Sequence, residues 1–159
     1  MNIVVRMATD DDAGLIAGLT RAAWAGKVAA SSSGHRETAP QVLAQLRHGG
    51  GCVLLADGEA VGSVRWAPHD SAARVWEIMR MGVLPAWRGT GLARYLLEAV
   101  IRQARDCAVE EVRLAVRADQ PKLLDFYAAF DFTLAAELEY SHANAEQPAP
   151  TVMRRCLRG

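Results

Sequence analysis

The chain is predicted to fold as one α/β (α+β) domain on a mixed sheet. Three observations lead there: its length of 159 residues, the order in which helical and strand-like periodicities alternate, and two glycine signals of different kinds. One domain is the natural reading of a chain this long. The element order is β-α-α-β-β-β-α-β-α-β-β. Helices separate some strands but not others, so antiparallel hairpins and parallel crossovers must share one sheet. A two- or three-layer sandwich follows, and a clean doubly wound fold does not.

Each element has a local reason. Ile3-Val4-Val5 is a short strand. Thr9-Asp10-Asp11-Asp12 supplies N-cap oxygens and first-turn negative charge. Leu15, Ile16, Leu19, Ala22 and Ala23 then share one face at helical spacing. Ser31-Ser32-Ser33-Gly34 interrupts that helix. A second helix spans 39–48, with Val42, Leu43 and Leu46 inward and Gly49-Gly50-Gly51 ending it. Residues 52–56 and 59–66 flank Asp57-Gly58, the turn chemistry of a tight hairpin. Residues 74–84 form a third apolar strand after a His69-Asp70-Ser71 turn. A long helix follows Gly91, with Leu92, Tyr95, Leu96, Ala99, Val100 and Gln103 as its stripe. Residues 112–116 form a strand, and Asp119-Gln120-Pro121 starts a helix with Asp119 as cap. Residues 132–140 and 151–157 are expected to be the last two strands.

Composition narrows the function classes. Lys+Arg and Asp+Glu are each 18, so the formal net charge is zero. That argues against a dedicated nucleic-acid binder, which carries a basic excess. Of the 18 cations 16 are Arg, a bias most simply explained by genome composition. No apolar run approaches the roughly 18 residues of a membrane helix. The N-terminus lacks a basic region followed by an apolar stretch, so a cytoplasmic protein is expected. Cys52, Cys107 and Cys156 match no zinc or disulfide spacing and are expected to be reduced core thiols. No metal site is expected.

The sharpest signal is Arg88-Gly89-Thr90-Gly91-Leu92-Ala93-Arg94, between a strand and a helix. Glycines there expose consecutive backbone amides, and the helix dipole adds positive potential, so the loop suits a diphosphate. It lacks the Lys-Ser/Thr of a phosphate-binding P-loop, and Arg94 stands where a dinucleotide fingerprint needs Gly or Ala. A ligand-free glycine turn is the alternative.

Two blocks in order resemble the GNAT superfamily of N-acetyltransferases. One is Val83-Leu84-Pro85 followed by Arg88-Gly89-Thr90-Gly91-Leu92-Ala93. The other runs from Val112 through Asp119-Gln120 to Phe126-Tyr127 and Asp131-Phe132. The resemblance covers nearly the whole chain in element order and is tightest over 76–132. It implies a mostly antiparallel sheet of six to seven strands, a splayed central pair and about four helices. It also implies acetyl-CoA as co-substrate, with the amides of Arg88 to Arg94 on its pyrophosphate. Met81 and Val83 would offer backbone groups to the pantetheine arm in strand-like pairing. A bulge is the usual device for splaying strands, and Gly82 is its expected site. The Met81 amide would then polarise the thioester carbonyl. Gln120 stands where the family commonly has Asn, Asp131 where it commonly has Gly, and Ala115 where some relatives carry an acidic base.

Acetyl transfer to an amine needs a proton acceptor and a donor for the leaving thiolate. Tyr127, at the family's tyrosine position, is the candidate acid; its alternative is an aromatic in the Phe126-Tyr127-x-x-Phe130 stripe. Glu77 is the candidate base. Alternation places Glu77, Met79, Met81 and Val83 on one face, where a carboxylate is costly unless used or paired. A salt bridge to Arg80 or Arg65 is its alternative role. Trp24 and His35 are weaker candidates for the acceptor side; the remaining histidines are read as surface residues. The acceptor is expected to be a small-molecule or peptide amine, chosen by 25–38 and 141–150, which carry no readable motif. A homodimer is an option, with the C-terminal strand as exchange surface. The competing function is a catalytically weak CoA sensor or interaction module of the same fold.

Overall fold

Turn chemistry and capping build the first half of the sheet. The computed structural model describes residues 1–25, 33–140 and 148–157. Its elements are β1 (Ile3–Met7), α1 (Ala13–Trp24), α2 (Ala39–His48), β2 (Gly50–Ala56), β3 (Glu59–His69), β4 (Ala72–Val83), α3 (Ala93–Asp106), β5 (Glu111–Val116), α4 (Leu123–Ala128), β6 (Thr133–Leu134) and β7 (Thr151–Cys156). Asp57 and Gly58 both take positive φ, 49° and 84°, which matches the twist of the flanking strands β2 and β3. The start of α1 is fixed by Asp12. Its carboxylate accepts the Thr9 amide at 2.8 Å and both terminal nitrogens of Arg6 at 2.8 Å. Thr38 caps α2, and Gln41 returns the bond by accepting the Thr38 amide at 3.0 Å.

The seven strands among the described residues lie in the order β1-β2-β3-β4-β5-β7-β6. Every neighbour is antiparallel except β4 and β5, which are parallel. One core cluster joins Leu96, Leu97, Val100, Ile101 and Ala104 of α3 to Tyr127 of α4 and the sheet. A second joins Ile16 and Ala17 of α1 to Val42 and Leu46 of α2 over Val53. Helices therefore cover both faces, α1 and α2 on one, α3 and α4 on the other. The mixed sheet, its mostly antiparallel pairing and four helices match the sequence-based expectation.

Several details differ. The buried stripe of α3 is centred on Leu96, Leu97, Val100 and Ile101, while Tyr95, Ala99 and Gln103 sit half-buried at its edge. Leu15 is exposed, and α1 packs instead through Ile16, Leu19 and Ala23. The strand expected over 132–140 shrinks to Thr133–Leu134. Asp119 does not cap α4, because Arg117 donates to its carboxylate at 3.3 Å and Lys122 occupies the N-cap. Of the three thiols only Cys52 is in the core, where burial pushes it up to about 11; Cys107 and Cys156 are exposed at element ends. No helix among the described residues is long and apolar enough to cross a membrane.

The Arg6 guanidinium holds the Asp12 carboxyl down to about 2, with burial opposing. An unfolded Asp titrates near 4, so its stabilising effect is full above that value and is lost as pH falls through about 2. Asp12→Asn should therefore unfold at lower denaturant concentration than the wild type at pH 6. That gap should narrow steadily between pH 4 and pH 2, as followed by urea denaturation.

Candidate active site

The site begins where β4 leaves β5. The parallel pairing comprises Val75 with Glu111, Trp76 with Val112 and Glu77 with Arg113. Beyond Glu77, β4 continues for six residues with β3 on one side and, among the described residues, no strand on the other. The expected splay is present, and Glu77 stands at its apex.

The bulge that accompanies the splay is not at Gly82. Arg65 pairs with Met79 and Ser63 pairs with Gly82, so two steps on β3 face three on β4. The extra residue falls at Arg80–Met81, and Arg80 takes φ +55°. Gly82 is itself a paired residue. The bulge also overturns the expected common face. Ile78 and Val83 are an odd number of residues apart yet lie in the same α3-side cluster, and Met81 packs against it too. Glu77 and Met79 share the opposite face with Arg65, whose guanidinium reaches Thr20 of α1 and Gln45 of α2. An inserted residue reverses the alternation, so side chains before and after it point opposite ways.

A cleft of about 260 Å³ opens beside the bare part of β4. Met81, Gly82 and Val83 form one wall; Leu123, Phe126 and Tyr127 of α4 face them. Ala23 and Trp24 close one end, and Arg88, Ala93, Arg117 and Gln120 complete the lining. The two ends of the glycine loop, Arg88 and Ala93, reach this cleft. Gly89 and Gly91 take φ +75° and +78°, and a side chain at either would meet nothing within 4 Å. Helix α3 starts at Ala93 with no side-chain cap, and Leu92 is buried in the core. Open space above uncapped amides at a helix N-terminus is what an anionic diphosphate requires. The residues present thus fit coenzyme A.

The charged side chains of the loop have local partners. Arg88 donates to the Ala23 carbonyl at the end of α1, and partial burial lowers its pKa. The Arg94 guanidinium lies 4.9 Å from the Tyr95 ring centroid and donates to its hydroxyl at 3.2 Å. Thr90 donates its hydroxyl to the Trp87 carbonyl.

Tyr127 is buried on the α3 side, edge-on to Phe126 and Phe132 with centroids 5.2 and 5.9 Å away. Burial raises its pKa above the ordinary tyrosine value, with Arg117 pulling weakly the other way. Glu77, 3% exposed, lies on the other face. Its surroundings include Tyr140, whose phenol is pushed up to about 12, mainly by burial and next by Glu77; Arg80 and Arg65 oppose. The carboxylate that bonds both Arg65 and Arg80 is Glu37. Trp24 is flanked by the guanidiniums of Arg80 and Arg117, 5.8 and 5.6 Å from its ring centre. His35 lies in a turn at Ser33–Arg36, beyond the cleft lining. Most of 25–38 and 141–150, the expected acceptor-selecting segments, lies outside the described residues.

Sequence reasoning missed Arg117, the apolar wall of Leu123 and Phe126, and the cluster of Glu37, Arg65, Arg80 and Tyr140. Arg65 and Arg80 carry the same signal that singled out Glu77, a charge inside an apolar strand. Glu37 carries none, because it lies in a loop of ordinary polar composition.

The chain thus combines a splayed sheet with an uncapped helix start beside the gap. The family model for the acetyltransferase (GNAT) family matches residues 19–132, and the chain belongs to that family. It is similar to a mycothiol acetyltransferase of Nocardiopsis dassonvillei, 30% identical over 99 residues. That match covers 62% of this chain and 26% of the relative, so the chain spans only about a quarter of that protein. Among solved structures it resembles the PaiA N-acetyltransferase of Thermoplasma acidophilum in complex with coenzyme A: TM-score 0.78, 15% identity, 98% of this chain and 99% of the other. It also resembles YncA of Salmonella typhimurium with acetyl-CoA: TM-score 0.78, 21% identity, covering 100% and 96%.

Replacing Gly91 by Val puts a β-branched residue at φ +78°. The strain is of order 1–3 kcal/mol, so coenzyme A affinity should fall about tenfold or more by isothermal titration. Unaltered affinity would overturn the cradle assignment.

Proposed function

We propose that this acetyltransferase moves the acetyl group of acetyl-CoA directly onto a primary amine, with both substrates bound together. The observation that carries the reading is the bare edge of β4 facing the uncapped start of α3 across one cleft. Backbone groups of Met81 and Val83 pair with the pantetheine arm, as an added strand pairs with a sheet edge. The amides from Arg88 to Arg94 hold the pyrophosphate. Gln120 lines the same cleft and contributes its amide.

Acetyl-CoA supplies an activated thioester. Glu77, at the apex of the splay, accepts the proton of the attacking amine. The new bond is N–C, and the bond broken is C–S. Tyr127 gives its proton to the departing thiolate from the opposite face of the sheet. Its raised pKa keeps it protonated through and above the ordinary tyrosine range, so it is an acid and not a base. The Met81 amide, turned by the bulge, donates toward the thioester oxygen. The acceptor enters from the α1 and α2 side, past Trp24.

Free-thiol release from acetyl-CoA across a panel of small amines, amino acids, aminoglycosides and peptides tests the reading. Glu77→Gln and Tyr127→Phe should each lower kcat by roughly 10²–10⁴-fold while acetyl-CoA affinity changes little. Unchanged rates in both would sink the proton-transfer roles. The wild-type rate should show no descending limb from Tyr127 below about pH 10. Tight acetyl-CoA binding with no thiol release for any amine supports a CoA sensor instead.

A further inference from the structure

The bulge opens the cleft, yet neither Arg80 nor its chain neighbours favour a left-handed backbone. We propose that Glu37 is a positioning residue for acetyl transfer: its one carboxylate ties Arg65 on β3 to Arg80 on β4 and so holds the bulge that presents Met81 and Gly82 to the cleft. The proposal rests on the reading of the bare β4 edge as the site of the acetyl-CoA arm.

The loop before α2 is pinned at Glu37 from both sides. Arg21 of α1 donates to the Glu37 carbonyl at 2.6 Å, and the next residue, Thr38, is locked as the N-cap of α2. The side chain, 4% exposed, is thereby directed onto the sheet. One oxygen accepts from Arg65, which is fully buried; the other lies 3.3 Å from Nε of Arg80. These arginines sit at the near side of the register shift. Arg65 pairs with Met79, the last regular residue of β4 before the shift, and Arg80 is the next residue.

Without the shared carboxylate, a fully buried guanidinium and a half-buried one would be left close together; burial first, and the charge of Arg80 next, already lower the pKa of Arg65. Arg65 cannot withdraw, because Thr20 and Gln45 also hold it. Arg80 is the residue at the register shift itself, and a change in its position would release φ +55° and let β4 straighten. The change would reach the cleft directly. Arg80 lies against the Trp24 ring, and that ring sits 3.0 Å from where a Cβ at Gly82 would stand.

The test is acetyl-CoA titration calorimetry on the full chain, with circular dichroism to confirm folding. Glu37→Gln should weaken acetyl-CoA binding by about tenfold. Adding Arg80→Gly should restore it to within about threefold, because glycine takes positive φ freely and the surplus cation is gone. A role confined to general packing predicts the opposite, since a second substitution in the cluster would weaken binding further. Should Glu37→Gln not fold, Glu37→Asp, which keeps the charge and shortens the reach, takes its place with and without Arg80→Gly. Binding by the folded single variant within about twofold of the wild type, or no rescue by Arg80→Gly, overturns the proposal. Failure of the wild type itself to bind acetyl-CoA overturns the functional reading, and this inference with it.

Discussion

The extra residue at Arg80 is the constraint on which the rest of this molecule depends. Up to Glu77, β4 is an ordinary central strand with a neighbour on each side. Beyond Glu77 it keeps β3 and has lost β5, and past the bulge at Arg80 its backbone faces a cleft and not a ladder. Unpaired backbone in a partly buried place is costly unless a ligand satisfies it. A left-handed arginine adds a cost of about 1–2 kcal/mol. Both costs persist because the surroundings over-determine the conformation, a common condition at functional sites.

The surroundings are electrostatic on one face and apolar on the other. On the α1 and α2 side, Glu37, Arg65 and Arg80 form a buried cluster, with Glu77 and Tyr140 in electrostatic reach. Burial pushes Arg65 down to about 9, which leaves it cationic at neutral pH and bound to keep its partners. Such a cluster is a poor source of net stability but a strict source of geometry, since removing one member strands the others. On the α3 and α4 side, Ile78, Val83 and Tyr127 are packed among aliphatic and aromatic side chains. The two faces give the two proton-handling candidates different surroundings, a charged neighbourhood for Glu77 and an apolar one for Tyr127.

Glycine shows how one local property serves two ends. Gly58, Gly89 and Gly91 all take positive φ and all have open space where a side chain would be. At Gly58 the conformation closes a hairpin. At Gly89 and Gly91 it delivers the chain to the start of α3 with its amides exposed. Asp131 takes φ +67° without being glycine. The Phe130 carbonyl beside it accepts from Arg155 at 2.9 Å, which helps hold that turn.

Local chemistry made much of this legible in the sequence. The hairpin at Asp57-Gly58, the limits of α2 and the order of elements follow from interactions within a few residues. So does the glycine loop. Met81, Gly82, Val83, Arg88, Ala93, Gln120, Trp24 and Tyr127, singled out in advance, all line one cleft. What failed were inferences that assumed regularity over longer spans. Alternation along β4 breaks at Arg80; Asp119 bonds Arg117, and Lys122 stands at the N-cap of α4; the strand expected after Phe132 pairs over only two residues. The sequence by itself determined most of the elements, the fold class and the place of the glycine loop, because periodicity, capping and positive φ are local. Only the tertiary structure decided which face Glu77 occupies, where the bulge falls and that Glu37 bonds both arginines. The first two follow from the register of β4 against β3, and the last joins side chains 28 and more positions apart in the chain, whose meeting no short-range pattern encodes.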